Sequence, residues 1–356
     1  MILNVIPTES RAFADRSLRV AIESVLVLAL CLAVAPARVA AQRSDSDDRP
    51  TAIWLSGVDP EAQKARHVTE PADYMDLFKP DAPWEKAASR LAVFKFGTRF
   101  VLHSDDAELK TVIDDLRRRH IAFAVELGVL ESGGPGTCGY GVEGYGNPTA
   151  VESVARRVKA LGGQIDNVAM DEPVWFGHIV DKVSKSNGNG CRYSVPEIAE
   201  KAAAKIAVLR RYFPDIKIGD IEPVSARAPG GPQSIDDILT FENLLREKTG
   251  AAPVFFHADM AWAFQGWQPL LETLATRLRA SGVRFGVICD GDPTAGGNDA
   301  WVDQAVERCR KVAANPRTRP EDFIVQSWEP LPTRMLPETD PGSLTYEVNA
   351  VSKLVH

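Results

Sequence analysis

The chain has 356 residues, 45% of them hydrophobic and 25% charged, with a formal net charge of −7. This is globular composition, with enough chain to bury a large core. The acidic balance excludes a nucleic-acid partner, which would need a basic face.

Residues 1–41 read as an export signal. Arg11, Arg16 and Arg19 precede an apolar run from Val25 to Ala35, and Val39-Ala40-Ala41 fits a small-x-small cleavage site before Gln42. The run is about a dozen residues, shorter than the roughly 20 a bilayer span needs, so no stable membrane span is expected after signal removal. An N-terminal membrane anchor is the competing reading. A lipid anchor on Cys31 is disfavoured, because Leu30 stands where a small residue is expected. Residues 42–51 read as a polar linker and 52–356 as the folded domain. The expected location is secreted or periplasmic. Cysteine usage agrees: Cys138, Cys191, Cys289 and Cys309 remain, which permits two disulfides in an oxidising compartment. Cys138 and Cys191 lie in Gly-rich loops and are the favoured pair. Cys289 and Cys309 are equally well read as buried free thiols.

Beyond the linker, short runs rich in Val, Ile and Phe alternate with longer amphipathic segments. The predicted strands are Ala52–Val58, Leu91–Phe96, Ile121–Val129, Asn167–Met170, Ile216–Ile221, Val254–Ala258, Arg284–Cys289 and Phe323–Ser327. The predicted helices lie between them. One opens at a Ser104 cap and runs to Arg119; another spans Pro148–Leu161 before Gly162-Gly163. Ser194-Val195-Pro196-Glu197 is a capping box that starts a helix to Tyr212. Further helices are expected at Ser234–Lys248, Pro269–Ala280, Asn298–Ala314 and Ser343–Leu354. The segment from Ala72 to Arg90 contains Pro80 and Pro83, so its helix is broken or short. Eight strand–helix units predict an α/β fold, a single (β/α)8 barrel. An open doubly wound sheet is the alternative, but no phosphate-binding glycine turn follows the first strand.

In such barrels chemistry sits at the C-terminal strand ends. Those ends are acidic here. Strand 1 ends at Asp59, strand 2 carries Lys95 and strand 3 carries Glu126. Strand 4 ends Asp171-Glu172-Pro173 with Trp175 beyond, and strand 5 carries Asp220 and ends Glu222-Pro223. Strand 6 ends His257-Ala258-Asp259, followed by Trp262 and Trp267. Strand 7 ends at Asp290 and Asp292, and strand 8 at Trp328-Glu329. Carboxylates crowded on one bowl raise one another's pKa, which yields a protonated acid beside an ionised base. Glycoside hydrolysis needs that pair. Flat indoles at Trp175, Trp262 and Trp328 can stack on sugar rings. Lys95, Glu126, His257, Asp259, Asp292 and Glu329 join them as expected substrate contacts. Lys95 reads as an ion-pair partner of Glu126 or Asp59 in preference to a Schiff-base lysine.

Asp171-Glu172-Pro173 resembles the Asn-Glu-Pro signature of the large retaining clan of (β/α)8 glycoside hydrolases. The resemblance implies that Glu172 is the acid/base, and Trp328 resembles a sugar-platform tryptophan of those barrels. Asp171 replaces the Asn. Where the clan has a Glu nucleophile at the seventh strand, this chain has Asp290 and Asp292, with Glu222 as a third candidate. The expected catalytic pair is therefore drawn from Asp171, Glu172, Glu222 and Asp290. Adjacent strand residues point to opposite faces, so Asp171 and Glu172 are not both expected to face the axis.

The expected function is hydrolysis of an oligo- or polysaccharide in an exported setting, without a cofactor or metal. Two alternatives remain. Glu126, Glu172, Glu222, His257, Asp290 and Glu329 could hold a divalent ion, as in metal-dependent sugar isomerases. A glycan-binding barrel that keeps the tryptophans without turnover is the other. The glycine-rich stretch from Gly133 to Gly146 lacks a phosphate-loop Lys-Ser/Thr ending and reads as a surface loop walling the cleft.

Overall fold

The structure, a computed structural model, describes residues 50–180, 189–229 and 231–355. The expected signal, Cys31 and nearly all of the linker lie outside the described residues. Eight parallel strands close into a barrel: β1 (Ala52–Ser56), β2 (Val93–Gly97), β3 (Ala122–Leu127), β4 (Asn167–Asp171), β5 (Lys217–Val224), β6 (Phe255–Met260), β7 (Arg284–Cys289) and β8 (Asp322–Gln326). Each strand pairs with its sequence neighbours, and β8 pairs with β1. That closure removes the open-sheet alternative. Among the described residues no helix is long and apolar enough to cross a membrane.

Side-chain alternation divides the apolar residues into two layers. Inside the barrel, Trp54, Val93, Ala124, Ala169, Ile221, Phe255, Ile288 and Ile324 form one cluster. Their strand neighbours, such as Phe94, Val125, Met170, Phe256 and Val325, pack outward against the helices. Each large apolar side chain buried in this way contributes about 1.5–3 kcal/mol. Two inner positions accept only glycine. A Cβ on Gly219 would lie 2.2 Å from the Phe255 ring, and one on Gly286 would lie 2.6 Å from His257.

The helices follow their caps. Ser194 and Glu197 close the expected capping box, and the helix Gln233–Thr249 stops at Gly250 with φ 74°. Short helical pieces at Tyr74–Phe78 and Glu85–Ala88 flank Pro80 and Pro83, as the prolines require. Two helices were not expected. Asp59 accepts from the backbone N–H of Glu61 (2.9 Å) and Ala62 (2.8 Å), and so caps Pro60–Arg66. Asp59 is therefore a helix cap. Thr98–His103 is the second; Ser104 ends it by donating to the Phe100 carbonyl, and Asp105 caps the following helix.

Both cysteine pairs are bonded: Cys138 to Cys191, and Cys289 to Cys309. The second joins β7 to the helix Asn298–Ala314, so these two are not free thiols.

Candidate active site

A cavity of about 320 Å3 opens at the C-terminal end of the barrel. Glu126, Glu143, Asp171, Glu172 and Asp259 line it, with Arg66, Gln326 and Trp328; Ile221, Pro223 and Ile288 supply the apolar part. Strand parity places most of these. Glu126 lies beside Ala169, Asp171 beside Ile221, and Pro223 beside Asp259, all in register with the inner apolar layer.

Glu172 is the exception to parity. Asp171 is the last residue of β4, and Glu172 turns into the left-handed region at φ 48°. That conformation costs a non-glycine residue about 1–3 kcal/mol, so its surroundings must hold it. They do. The Glu172 N–H donates to the Ile221 carbonyl at 3.1 Å, and its own carbonyl accepts from Phe176 at 3.1 Å. Just beyond it, the N–H groups of Val174 and Trp175 donate to the two carboxyl oxygens of Glu222, at 2.6 and 2.8 Å. These N–H groups begin a helical turn and have no partner within it, so Glu222 caps it from the neighbouring strand. The expectation that Asp171 and Glu172 face opposite ways is thus corrected: one left-handed residue brings both into the cavity.

Glu143 arrives on the long loop after β3. That loop leaves at Leu130–Glu131 and returns at Tyr145–Gly146, where the two segments pair. Gly144 has φ 79°, and a Cβ there would sit 2.8 Å from the Asp171 carbonyl oxygen. Only glycine lets the loop press this closely on the end of β4. The Cys138–Cys191 bond ties the same loop to the segment before the helix Val195–Tyr212.

The carboxylates reinforce one another. Lys95 is fully buried and ion-paired with Glu126. Asp171 is pushed well above the usual range by burial, then by Glu143 and Glu126; Lys95 and the Gly144 N–H oppose this. Glu172 is also raised well above its usual value, by burial first and then by Asp259, Glu143, Asp171 and Glu222. Glu172 hydrogen-bonds Asp259, whose own pKa burial raises. Two carboxyls in hydrogen-bond contact share one proton, since both cannot ionise at low cost. At the rim, loss of water and the charges of Glu126 and Asp259 raise Glu143; its solvent-open edge screens part of that effect.

The structure does not bring the other expected site residues together here. Glu222 is fully buried on the outer face of β5 with Asp220. It caps the β4 turn and does not line the cavity. Asp290 is held by Trp262, whose Nε1 donates to Oδ1 at 2.5 Å, and by Arg308, whose Nη1 donates to the Asp290 carbonyl at 2.7 Å. Asp292 accepts from Thr294 N–H (2.8 Å) and Oγ1 (2.6 Å) within its own turn. His257 is fully buried lower in the barrel, between Phe255 and Trp54 and 3.8 Å from Asp322. It supports the barrel core. Trp175 donates its backbone N–H to Glu222, and Trp262 packs edge-on to Trp267 at 5.3 Å. Of the expected tryptophans only Trp328 lines the cavity. Glu329 lines an adjoining groove of about 340 Å3 that shares Arg66 and Trp328 with it. The six-residue metal set is not assembled, and among the described residues no group of three or more His, Cys, Asp or Glu is disposed to hold an ion.

Three polar lining residues, Arg66, Glu143 and Gln326, were missed in the sequence. Gln326 was readable, as the last inward residue of β8. Arg66 depended on the unrecognised Asp59-capped helix. Glu143 carried no local signal, because the tertiary return of its loop aims it.

No protein-family model matches the chain, and no curated protein matches it in sequence. Solved structures share the barrel. Xylanase 10B from Thermotoga petrophila RKU-1 in complex with xylobiose is 11% identical, with TM-score 0.49, over 86% of this chain and 95% of that one. A psychrophilic glycoside hydrolase family 10 endo-beta-1,4-xylanase is 9% identical, with TM-score 0.47, over 87% and 98%. Phospho-2-dehydro-3-deoxyheptonate aldolase from Thermotoga maritima is 11% identical, with TM-score 0.46, over 86% and 68%. Hydrolases and an aldolase thus match alike, and the likeness selects no chemistry.

Proposed function

We propose that the protein is an exported glycoside hydrolase that cleaves an oligo- or polysaccharide with a carboxylic acid and a carboxylate. One observation carries this reading. Asp171 and Glu172, two carboxyls whose pKa values are raised by burial and by neighbouring acids, share a cavity with the lysine-paired Glu126 and with Trp328. Glu172 is the acid. Its proton is held against Asp259 in the free protein and passes to the leaving glycosidic oxygen in the reaction. Glu126, whose negative charge Lys95 balances, is the nucleophile or the base that activates water. Trp328 supplies a flat apolar face for a sugar ring, and the adjoining groove extends the surface along a chain of sugars. The export part rests on the N-terminal pattern and on two disulfides, which suit an oxidising compartment.

The test is turnover of a glycan panel by the wild type and by Glu126→Gln. Wild-type release of reducing ends is expected, with a loss of about 10²–10⁴-fold in the variant. The anomer of the first product separates retention from inversion. Absence of wild-type turnover on every glycan, with binding retained, would replace this reading with a non-catalytic glycan-binding barrel.

A further inference from the structure

We propose that the cavity selects sugars bearing a free ammonium group, so that its ligands are amino-sugar glycans. The proposal rests on the reading of this cavity as a glycan site and narrows it to a substrate class. The first observation is charge. Five carboxyl groups, Glu126, Glu143, Asp171, Glu172 and Asp259, line about 320 Å3. The cations nearby are Lys95, already committed to Glu126, and Arg66, exposed at the rim. The second observation is independent of charge. Gln326 is 7% exposed and lines the same cavity, and its Oε1 has no hydrogen-bond partner among the described residues. An unsatisfied buried acceptor calls for a donor from a ligand.

An ammonium meets both conditions. It carries three N–H donors and no acceptor, and it brings the charge that crowded carboxylates lack. A neutral sugar offers hydroxyl donors but leaves the carboxylate repulsion in place. A uronic acid adds to that repulsion. Binding of an ammonium is therefore coupled to proton release. Asp171, Asp259 and Glu143 hold protons more tightly than ordinary carboxyls, and a bound cation favours their ionised forms. Affinity for the amino sugar must rise with pH until the sugar amine itself loses its proton, at ~7.7, the value of an α-amino group. Arg66 lines the same cavity and opposes the cation, as does Lys95 through its ion pair with Glu126, whereas Glu222 and Asp290, pushed by burial up to about 8 and about 7, add negative charge only as pH rises toward those values.

The experiment measures binding to the full-length wild type by calorimetry at pH 5 and pH 7, where the sugar amine stays mainly protonated. The probes are methyl glycosides of glucosamine and galactosamine, in both anomers, beside the matching glucosides, galactosides and glucuronides. The amino sugars are expected to bind at least about tenfold tighter than the neutral sugars at pH 7, which is about 1.4 kcal/mol. They should release protons on binding, and the preference should shrink at pH 5. Glu143→Gln, at the solvent-open rim, should keep the fold and reduce the preference about three- to fivefold. Equal affinity for amino and neutral sugars, or no amino-sugar binding at pH 7, overturns the proposal. Hydrolysis of neutral glycans without an amino-sugar preference overturns it while leaving the hydrolase reading intact. Amino-sugar binding with no hydrolysis of any amino-sugar oligomer supports it and removes the hydrolase reading instead.

Discussion

The ends of β4 and β5 make an instructive pair. Both present an Asp and a Glu followed by proline: Asp171-Glu172-Pro173, and Asp220-Ile221-Glu222-Pro223. One pair lines the cavity; the other is sealed between barrel and helices. Spacing explains the second. Asp220 and Glu222 are two apart and share a face, and Ile221 between them belongs to the inner cluster, so both acids point outward. The first pair is adjacent, and the left-handed Glu172 overrides alternation. The two ends are also physically joined, since Glu222 caps the turn that follows Glu172. The cavity-lining end of β4 therefore stands on a structural acid from β5.

The sharpest way to break this comparison is to swap the assigned roles. Glu172→Gln should lower turnover about 10²–10⁴-fold and leave the melting temperature nearly unchanged. Glu222→Ala removes the acceptor for two buried N–H groups, which costs about 1–3 kcal/mol. Its primary effect should be a fall in Tm of roughly 2–6 °C. Paired turnover and melting measurements decide; a stability loss confined to Glu172→Gln would reverse the assignment.

A second prediction concerns pH. Burial pushes Glu222 up to about 8 and, across from it on the helix Gln233–Thr249, Glu242 up to about 8; Asp220 is also raised. These carboxyls bind protons more tightly folded than unfolded. Their contribution is fully present below the unfolded pKa, near 4.3, and is lost as pH rises toward about 8. Thermal melts should show Tm falling from pH 5 to pH 8, with a shallower fall in Glu242→Gln. A flat wild-type profile would mean that this buried group of acids is not protonated as described.

The smallest expected effect separates the tryptophans. Trp328→Ala should weaken glycan binding by about 1 kcal/mol, near fivefold. Trp175→Ala should leave affinity unchanged, because that residue is absent from the cavity lining. Equal losses in a titration would show that the β4 turn, like β8, presents a sugar platform.

Much of the barrel was legible in the sequence. Predicted and observed strands agree within a few residues, because period-2 runs of Val, Ile and Phe are local signals. The Ser194 capping box and the glycine stop at Gly250 are local in the same way. Within the site, Asp171, Glu172, Glu126, Asp259 and Trp328 were readable as strand-end residues. Their partners were not. Glu222 and Asp259 both end strands, and only pairing register shows that one faces the helices and the other the cavity.

The sequence by itself determined which segments become strands, and hence which acids lie near the C-terminal end of the barrel. Propensity and periodicity act over a few residues and need no knowledge of neighbours. Only the tertiary structure decided which acids share a space. That depends on one left-handed residue, held by a cap from another strand, and on a glycine that lets the loop bearing Glu143 close onto β4. The raised pKa values follow from that convergence, since burial and mutual repulsion exist only once distant residues share one cavity.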